Sequence, residues 1–455
     1  MVGRKVLLVP NMTLDRMRSL DRVVGSAVCL VLSMMRRLVS LVRPTRAPVS
    51  PRHILIIEIS EMGCLVLAYP MLEALRRRYP EAILYFLMFE KIQGGADVLN
   101  LAPRERHILL RDRNLGVFLA DAVRAVWQLR RCRIDTVLDL EFFSRVSAVL
   151  SYLSGASNRV GFHRYHMEGL YRGSFLTRKV PYNPYLHIAK NYMALLDALE
   201  DSASGTPPVK KDYGAIQLGL PQIRNSKEED LAIGAKLKQA CSALAASSRI
   251  VLLNPGGGEL PIRAWPLANY VQLAEMLLET PDLAVGVVGL AGDRVWYERM
   301  ADTIRSPRFF NLAGLTMTVR EMVQVFNQCD VLVTSDGGLA HFAGLSSIHC
   351  VVFFGPGTPI LYGPLTSNYT CLYAGISCSP CLSAYNARKS PCDGDNVCVK
   401  LFTPGHVKGL VMEALKSRMT VTRPWHSPAL LLLVVAVAAG LRWYNLSFFL
   451  ESMIL

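Results

Sequence analysis

The sequence predicts an α/β protein of two doubly wound, Rossmann-like units, with an apolar extension at each end. From His53 onward, apolar runs of strand length alternate with helix-length stretches, as in a parallel sheet covered by helices. The same scheme restarts near Arg249, after a stretch from Asp201 to Asp212 rich in Ser, Gly, Pro and Lys. At 455 residues the chain is also too long for one ordinary core.

In the first unit the expected strands are His53 to Ile59, Ile83 to Met88, Ile108 to Leu110 and Thr136 to Leu140. A helix ends at Pro80 and another precedes Thr136. In the second unit the expected strands are 249 to 256, 283 to 289, Asp330 to Ser335 and His349 to Gly355. Helices are expected at Leu267 to Leu278, around Glu298 and at Val319 to Cys329. The organisation read from the sequence is an N-terminal membrane-surface segment (1–51), a first acceptor-side unit (52–205), a second nucleotide-sugar unit (206–420) and an apolar tail (421–455). Open sheets of this kind bind ligands at the carboxyl ends of their strands, so the ligand belongs in the cleft between the units.

Lysine and arginine outnumber aspartate and glutamate by 50 to 36, giving a net charge of +14 and favouring an anionic partner. No basic-aromatic motif accompanies that charge, which argues against nucleic acid. Six cysteines (Cys29, Cys64, Cys132, Cys241, Cys329, Cys350) stand singly in apolar stretches, as small buried hydrophobes do in a reducing compartment.

Near the N-terminus, the apolar run from Leu20 is interrupted by Arg36 and Arg37. The expectation is a helix lying in the membrane interface, with a helix packed on the protein itself as the alternative. Residues 428 to 441 are apolar and followed by Arg442, Trp443 and Tyr444, the composition of a C-terminal membrane anchor or a packed hydrophobic tail.

Three loops of the second unit carry the chemistry. The first runs from Asn254 through Pro255, Gly256, Gly257 and Gly258 to Arg263, Trp265 and Pro266. Glycines after a strand let amides approach an anion, and a nearby arginine bridges phosphate oxygens. The second, Gly289 to Asp293, ends on an acid that either accepts from ribose hydroxyls or caps a helix. The third is Ser335, Asp336, Gly337, Gly338 and, one turn into the next helix, His341.

Together these loops resemble the ADP-heptose:lipopolysaccharide heptosyltransferase family, glycosyltransferase family nine. Its N-P-G with a following basic residue and W-P matches Asn254, Pro255, Gly256, Arg263, Trp265 and Pro266. Its N-L-A-G matches Asn311 to Gly314, its D-S-G-x-x-H is similar to Asp336, Gly337, Gly338 and His341, and its F-G-P matches Phe354, Gly355 and Pro356. The resemblance spans roughly residues 52 to 412. It implies a GT-B fold and an inverting, metal-independent transfer from a nucleotide diphosphate sugar to a lipopolysaccharide or other lipid-linked glycan, at the cytoplasmic face of the inner membrane. By the same resemblance Arg263 contacts the diphosphate, the loop of Asp336 to Gly338 binds phosphate and sugar, and Asp293 lies near the nucleoside.

The chain departs from the family in its opening loop, where S-x-x-G-D becomes Ser60, Glu61, Met62, Gly63 and Cys64. The family's aspartate, its general base, is replaced by Cys64. A neutral thiol makes a poor base at pH 7, so the expectation moves that role to Glu61, with Glu58 and Asp139 as other acids in reach. A non-catalytic sugar-nucleotide-binding protein and a sugar-nucleotide epimerase of the same architecture are the competing readings. Finally, Cys378, Cys381, Cys392 and Cys398 have a C-x2-C-x10-C-x5-C spacing that suits a structural zinc, two disulfides or free thiols.

Overall fold

The computed structural model describes residues 14–42, 50–163, 171–200, 209–244, 248–258, 260–386 and 389–421. The apolar tail expected at 428–450 and residues 201–208 of the expected linker lie outside them.

An N-terminal rod comes first, formed by α1 (Leu14–Leu20), a π turn (Asp21–Gly25) and α2 (Ser26–Val42). The first unit continues with β1 (His53–Ile57), α3 (Met62–Arg78), β2 (Ile83–Phe89), α4 (Gln93–Val98), β3 (His107–Leu110), α5 (Leu115–Arg131), β4 (Thr136–Asp139), α6 (Arg145–Leu153), β5 (Asn158–His163), β6 (Arg178–Pro181) and α7 (Ile188–Asp197). The second contains α8 (Lys227–Ala240), β7 (Arg249–Asn254), α9 (Leu267–Leu278), β8 (Leu283–Val287), α10 (Arg294–Ile304), β9 (Phe309–Asn311), α11 (Val319–Asn327), β10 (Val331–Ser335), α12 (Gly338–Ala343), β11 (His349–Phe354), α13 (Pro359–Tyr362), β12 (Tyr369–Tyr373), α14 (Val397–Lys400) and α15 (Pro404–Val421).

The first sheet has the order β3-β2-β1-β4-β5-β6, and the second β12-β11-β10-β7-β8-β9. Every pairing is parallel. Counted from its own first strand, each sheet has the doubly wound order 3-2-1-4-5-6, whose switch point lies between strands one and four. The switch points are therefore β1/β4 and β7/β10, and the loops leaving those four strands build the site. The two central strands of the first sheet are fully apolar in their interiors (Ile54 to Ile57, Val137, Leu138), as strands covered on both faces must be. Helices of both units join a single apolar cluster in which Leu65 and Met71 of α3 pack with Val323 of α11 and Phe342 of α12.

Four strands (β5, β6, β9, β12) escape the apolar-run pattern. β6 reads Arg178-Lys179-Val180-Pro181, the basic and proline-bearing composition of an edge strand, where pairing on one side suffices. β9 is only three residues long, and β12 at the other edge carries the exposed Cys371.

The N-terminal rod is inverted relative to an ordinary surface helix. Its inward face carries polar groups: Asp21 accepts from the Arg145 and Val146 amides, and Ser33 accepts from the Ser174 amide, beside the buried Cys29. Its outward face is apolar, with Val23, Val31, Leu38, Leu41 and Val42 more than half exposed. The stretch Met17–Val42 is long and apolar enough to cross a membrane by length and composition. One face of the rod packs against α6, and the other is without cover among the described residues.

Below the first sheet, Arg172 pairs with Asp139, and both are buried. Ser147 donates to the same carboxylate at 3.0 Å. Asp139 is thereby committed to structure, which removes it from the acids available as a base. Removing one partner of a buried pair leaves an uncompensated charge, so Arg172→Met should lower unfolding free energy by about 3–5 kcal/mol in urea titrations, and adding Asp139→Leu should recover most of the loss.

Candidate active site

The site lies where the loop after β1 meets the loop after β10. Gly63, in the first turn of α3, approaches the start of α12 so closely that a Cβ there would fall 2.7 Å from His341 Cδ2 and 3.2 Å from the Gly338 Cα. Only glycine fits this crossing. The loop after β7 enters the same space through Arg263, whose guanidinium lies 3.6 Å from the Asp336 carboxylate. Arg263, Asp336, Gly338 and His341 are thus brought together, with Glu61 and Cys64 opposite on α3.

The polar groups at this crossing are buried yet incompletely paired. Among the described residues, Arg263 Nε, Asp336 Oδ2 and His341 Nδ1 find no hydrogen-bond partner, although Asp336 Oδ2 faces the Arg263 guanidinium. Each such group costs about 1–3 kcal/mol when left dry, so the three leave hydrogen-bonding capacity at this crossing that the described residues do not use. Burial raises the Asp336 carboxyl above its ordinary range, opposed by Arg263. Burial, reinforced by His187 and Arg263, brings His341 down to about 3, so its imidazole is neutral at physiological pH and offers one N–H and one lone pair.

Other predicted donor residues hold the loops. The Asn254 amide donates to the Val288 carbonyl at 2.8 Å, and its oxygen accepts from Thr334 Oγ1 at 3.1 Å, tying β7 to its neighbours at the switch point. A Cβ at Gly256 would lie 3.8 Å from the Tyr297 hydroxyl, whereas Gly258 faces open space with a φ of +61°, a conformation that favours glycine. The Asp293 carboxylate accepts from the Leu290 amide at 2.9 Å, within the turn that leads into α10. Gly337 is extended and leads into α12.

The four cysteines of the zinc pattern sit behind Pro356. The Cys381 and Leu382 amides donate to the Pro356 carbonyl, and Cys398 packs under Gly355, where a Cβ would come within 2.7 Å of its sulfur. All four are free, and among the described residues no group of three or more His, Cys, Asp or Glu has a metal-holding arrangement. Burial raises the Cys398 thiol above its ordinary range, with the nearby Cys381, Cys378 and Cys392 adding to the shift. The loop packs as a brace against Pro356 and the turn carrying Gly357, which abuts Asp336 Oδ2. Asp393 and Asp395 lie in that brace, where Asp395 pairs with Lys400.

In the first unit, Glu61 is half-buried at the start of α3, and the Cys64 thiol donates to its Oε2 at 3.8 Å. Cys64 is buried, and burial, with Glu58 nearby, pushes its thiol well above the usual range, so it serves as a neutral donor. A further carboxylate, Glu141, accepts from the Ile59 amide at 2.7 Å. Burial pushes Glu141 up to about 7, with Asp139 adding to the shift and the Ile59 N–H opposing it. The sequence reading missed Glu141, although an acid directly beyond β4, at the switch point, is a signal available from the topology.

The sequence profile described as "Glycosyltransferase family 9 (heptosyltransferase)" matches residues 123–390. This chain belongs to glycosyltransferase family 9. Lipooligosaccharide heptosyltransferase 2 of Haemophilus influenzae is 33% identical over 134 residues, 29% of this chain and 38% of that protein. The Haemophilus ducreyi protein of the same name is 27% identical over 189 residues, 40% of this chain and 51% of that protein. The chain thus spans about four-tenths to one half of these curated relatives. Among solved structures, the ADP-heptose lps heptosyltransferase II of E. coli superposes with a TM-score of 0.62 at 20% identity, covering 81% of this chain and 99% of that one. The family 9 glycosyl transferase of Veillonella parvula also gives 0.62, at 16% identity, covering 82% and 99%. These likenesses establish the two-sheet GT-B architecture for this family 9 member.

Because the folded state holds His341 neutral down to about pH 3, whereas an unfolded histidine protonates near 6.5, its contribution to stability is complete above about 6.5 and lost as pH falls toward 3. Melting temperatures recorded from pH 7 to 4 should fall more steeply for the wild type than for His341→Gln.

Proposed function

We propose that this glycosyltransferase moves a heptose-like sugar from a nucleotide diphosphate sugar to a lipopolysaccharide or other lipid-linked glycan, with inversion at the anomeric carbon. The observation that carries this reading is the group of Arg263, Asp336 and His341, each with a buried polar atom that no described residue hydrogen-bonds. Arg263 is the cation suited to the departing diphosphate, and Asp336 suits sugar hydroxyls, from which a carboxylate accepts hydrogen bonds. A relative of the same fold was solved as "E. coli heptosyltransferase WaaC with ADP", which accords with a nucleotide diphosphate donor. Charge on the leaving group is offset by Arg263 and by neutral donors, so the reaction proceeds without a catalytic metal.

In the proposed step Glu61 takes the proton of the acceptor hydroxyl. The acceptor hydroxyl's oxygen forms a bond to the anomeric carbon as the bond from that carbon to the diphosphate breaks, and the electron pair leaves on the diphosphate. The Cys64 thiol orients the Glu61 carboxylate. The outward apolar face of the N-terminal rod supports action at the cytoplasmic face of the inner membrane.

Glu61→Gln should reduce transfer about 10²- to 10⁴-fold, with the donor Kd by calorimetry unchanged. Arg263→Ala should instead weaken donor binding at least tenfold. Wild-type transfer rate in Glu61→Gln assigns the proton to another group, and Glu141 is then the one whose replacement by Gln would abolish a rise in rate through about pH 7. Donor binding without transfer in the wild type across an acceptor panel would favour the non-catalytic reading.

A further inference from the structure

Beside the catalytic carboxylates opens a groove of about 680 Å³. One wall is a stripe of the N-terminal rod that includes Met17, Val24 and Val28, and the other is a stripe of α5 that includes Phe118, Ala122 and Val126, with α6 as the floor. Its inner end reaches Glu58, Glu61 and Glu141, with Tyr385 contributed by the second unit. At its mouth α5 turns Leu115, Leu119, Val123 and Trp127 outward, each 45–73% exposed and spaced one helical turn apart. The groove thus runs from two outward apolar helix faces to the acids of the active site.

We infer that this groove binds one aliphatic tail of an anionic lipid acceptor, drawn sideways from the membrane, and so holds the accepting sugar beside Glu61. The proposal rests on the transferase reading above and adds the acceptor's class: a lipid whose acceptor hydroxyl lies close to its tail. Three features select this occupant. The lining is largely apolar, so it favours hydrocarbon over a glycan. The volume is that of a small-molecule site, whereas a helix 10–12 Å across fills roughly 420–610 Å³ per turn, so a partner's transmembrane helix would fit for little more than one turn. The rim carries Arg18 and Arg22, which complement a phosphate or carboxylate at the lipid head.

The probe is 11-(dansylamino)undecanoate, added to the full chain held in an amphipathic polymer. The expected result is a saturable rise in dansyl fluorescence, competed by dodecanoate and not by hexanoate. The double variant Leu119→Asp/Val123→Asp changes only exposed positions and should bind the probe at least tenfold more weakly while melting within about 2 °C of the wild type. As a control, Leu38→Asp/Leu41→Asp alters the far end of the rod and should leave probe affinity within twofold. Absence of saturable binding, or equal loss in both double variants, overturns the groove as the tail site. In the transfer assay, KM should rise at least tenfold when the acceptor's tail is shortened from twelve carbons to six, and an unchanged KM also overturns the proposal. Donor binding measured on the same preparations separates the two readings: its absence defeats the transferase reading, whereas intact donor binding with no probe binding defeats only the groove.

Discussion

The site depends on the contact between Gly63 and the first turn of α12. Two sheets with the same strand order each present a switch point, and neither alone gathers the groups described here. Because a Cβ at Gly63 would strike the His341 ring, the start of α3 can lie against Gly338 and His341, and Arg263 can influence the thiol on the facing helix. The dry environment that lowers His341 and raises Asp336 follows from this approach, since both sheets must exclude water from the same volume.

Much of this arrangement is legible in the sequence. The central strands are apolar runs, and the glycine-bearing loops after β7 and β10 announce close backbone approach, so both units and the residues meeting at Arg263 and Asp336 could be read directly. Edge strands could not, because pairing on one side lets β6 carry Arg178, Lys179 and Pro181 in place of an apolar signature. Side-chain commitments were equally hidden. Asn254 and Asp293 sit in the expected loops, but their polar atoms serve Val288, Thr334 and Leu290. Spacing identifies a loop, whereas the partner of a carboxylate is decided by chain segments far away in sequence. Glu141 shows the converse: nothing in its local sequence distinguishes it, and its altered acidity arises from burial, with the Asp139 charge adding to it against the opposing Ile59 N–H.

In the proposed mechanism a neighbouring position, Glu61, takes over from the aspartate that Cys64 replaces in the family's motif. An aspartate there would add a charge to a pocket already holding Glu58, Glu61 and Glu141. A thiol instead contributes a weak donor and no charge, which leaves Glu61 as the half-exposed acid at the start of α3. The cysteine brace behind Pro356 works by packing in a similar way: the Cys398 sulfur fills the space beneath Gly355 with no bond to a second thiol.

The inverted N-terminal rod also bears on how the enzyme's rate would be counted. A protein resting on a bilayer through that face meets its acceptor in two dimensions and its donor in three. Its turnover would then follow the mole fraction of acceptor among the surrounding lipids, so that diluting the acceptor with inert lipid at constant bulk concentration would slow the reaction, whereas diluting the vesicles themselves would matter much less once the enzyme is bound.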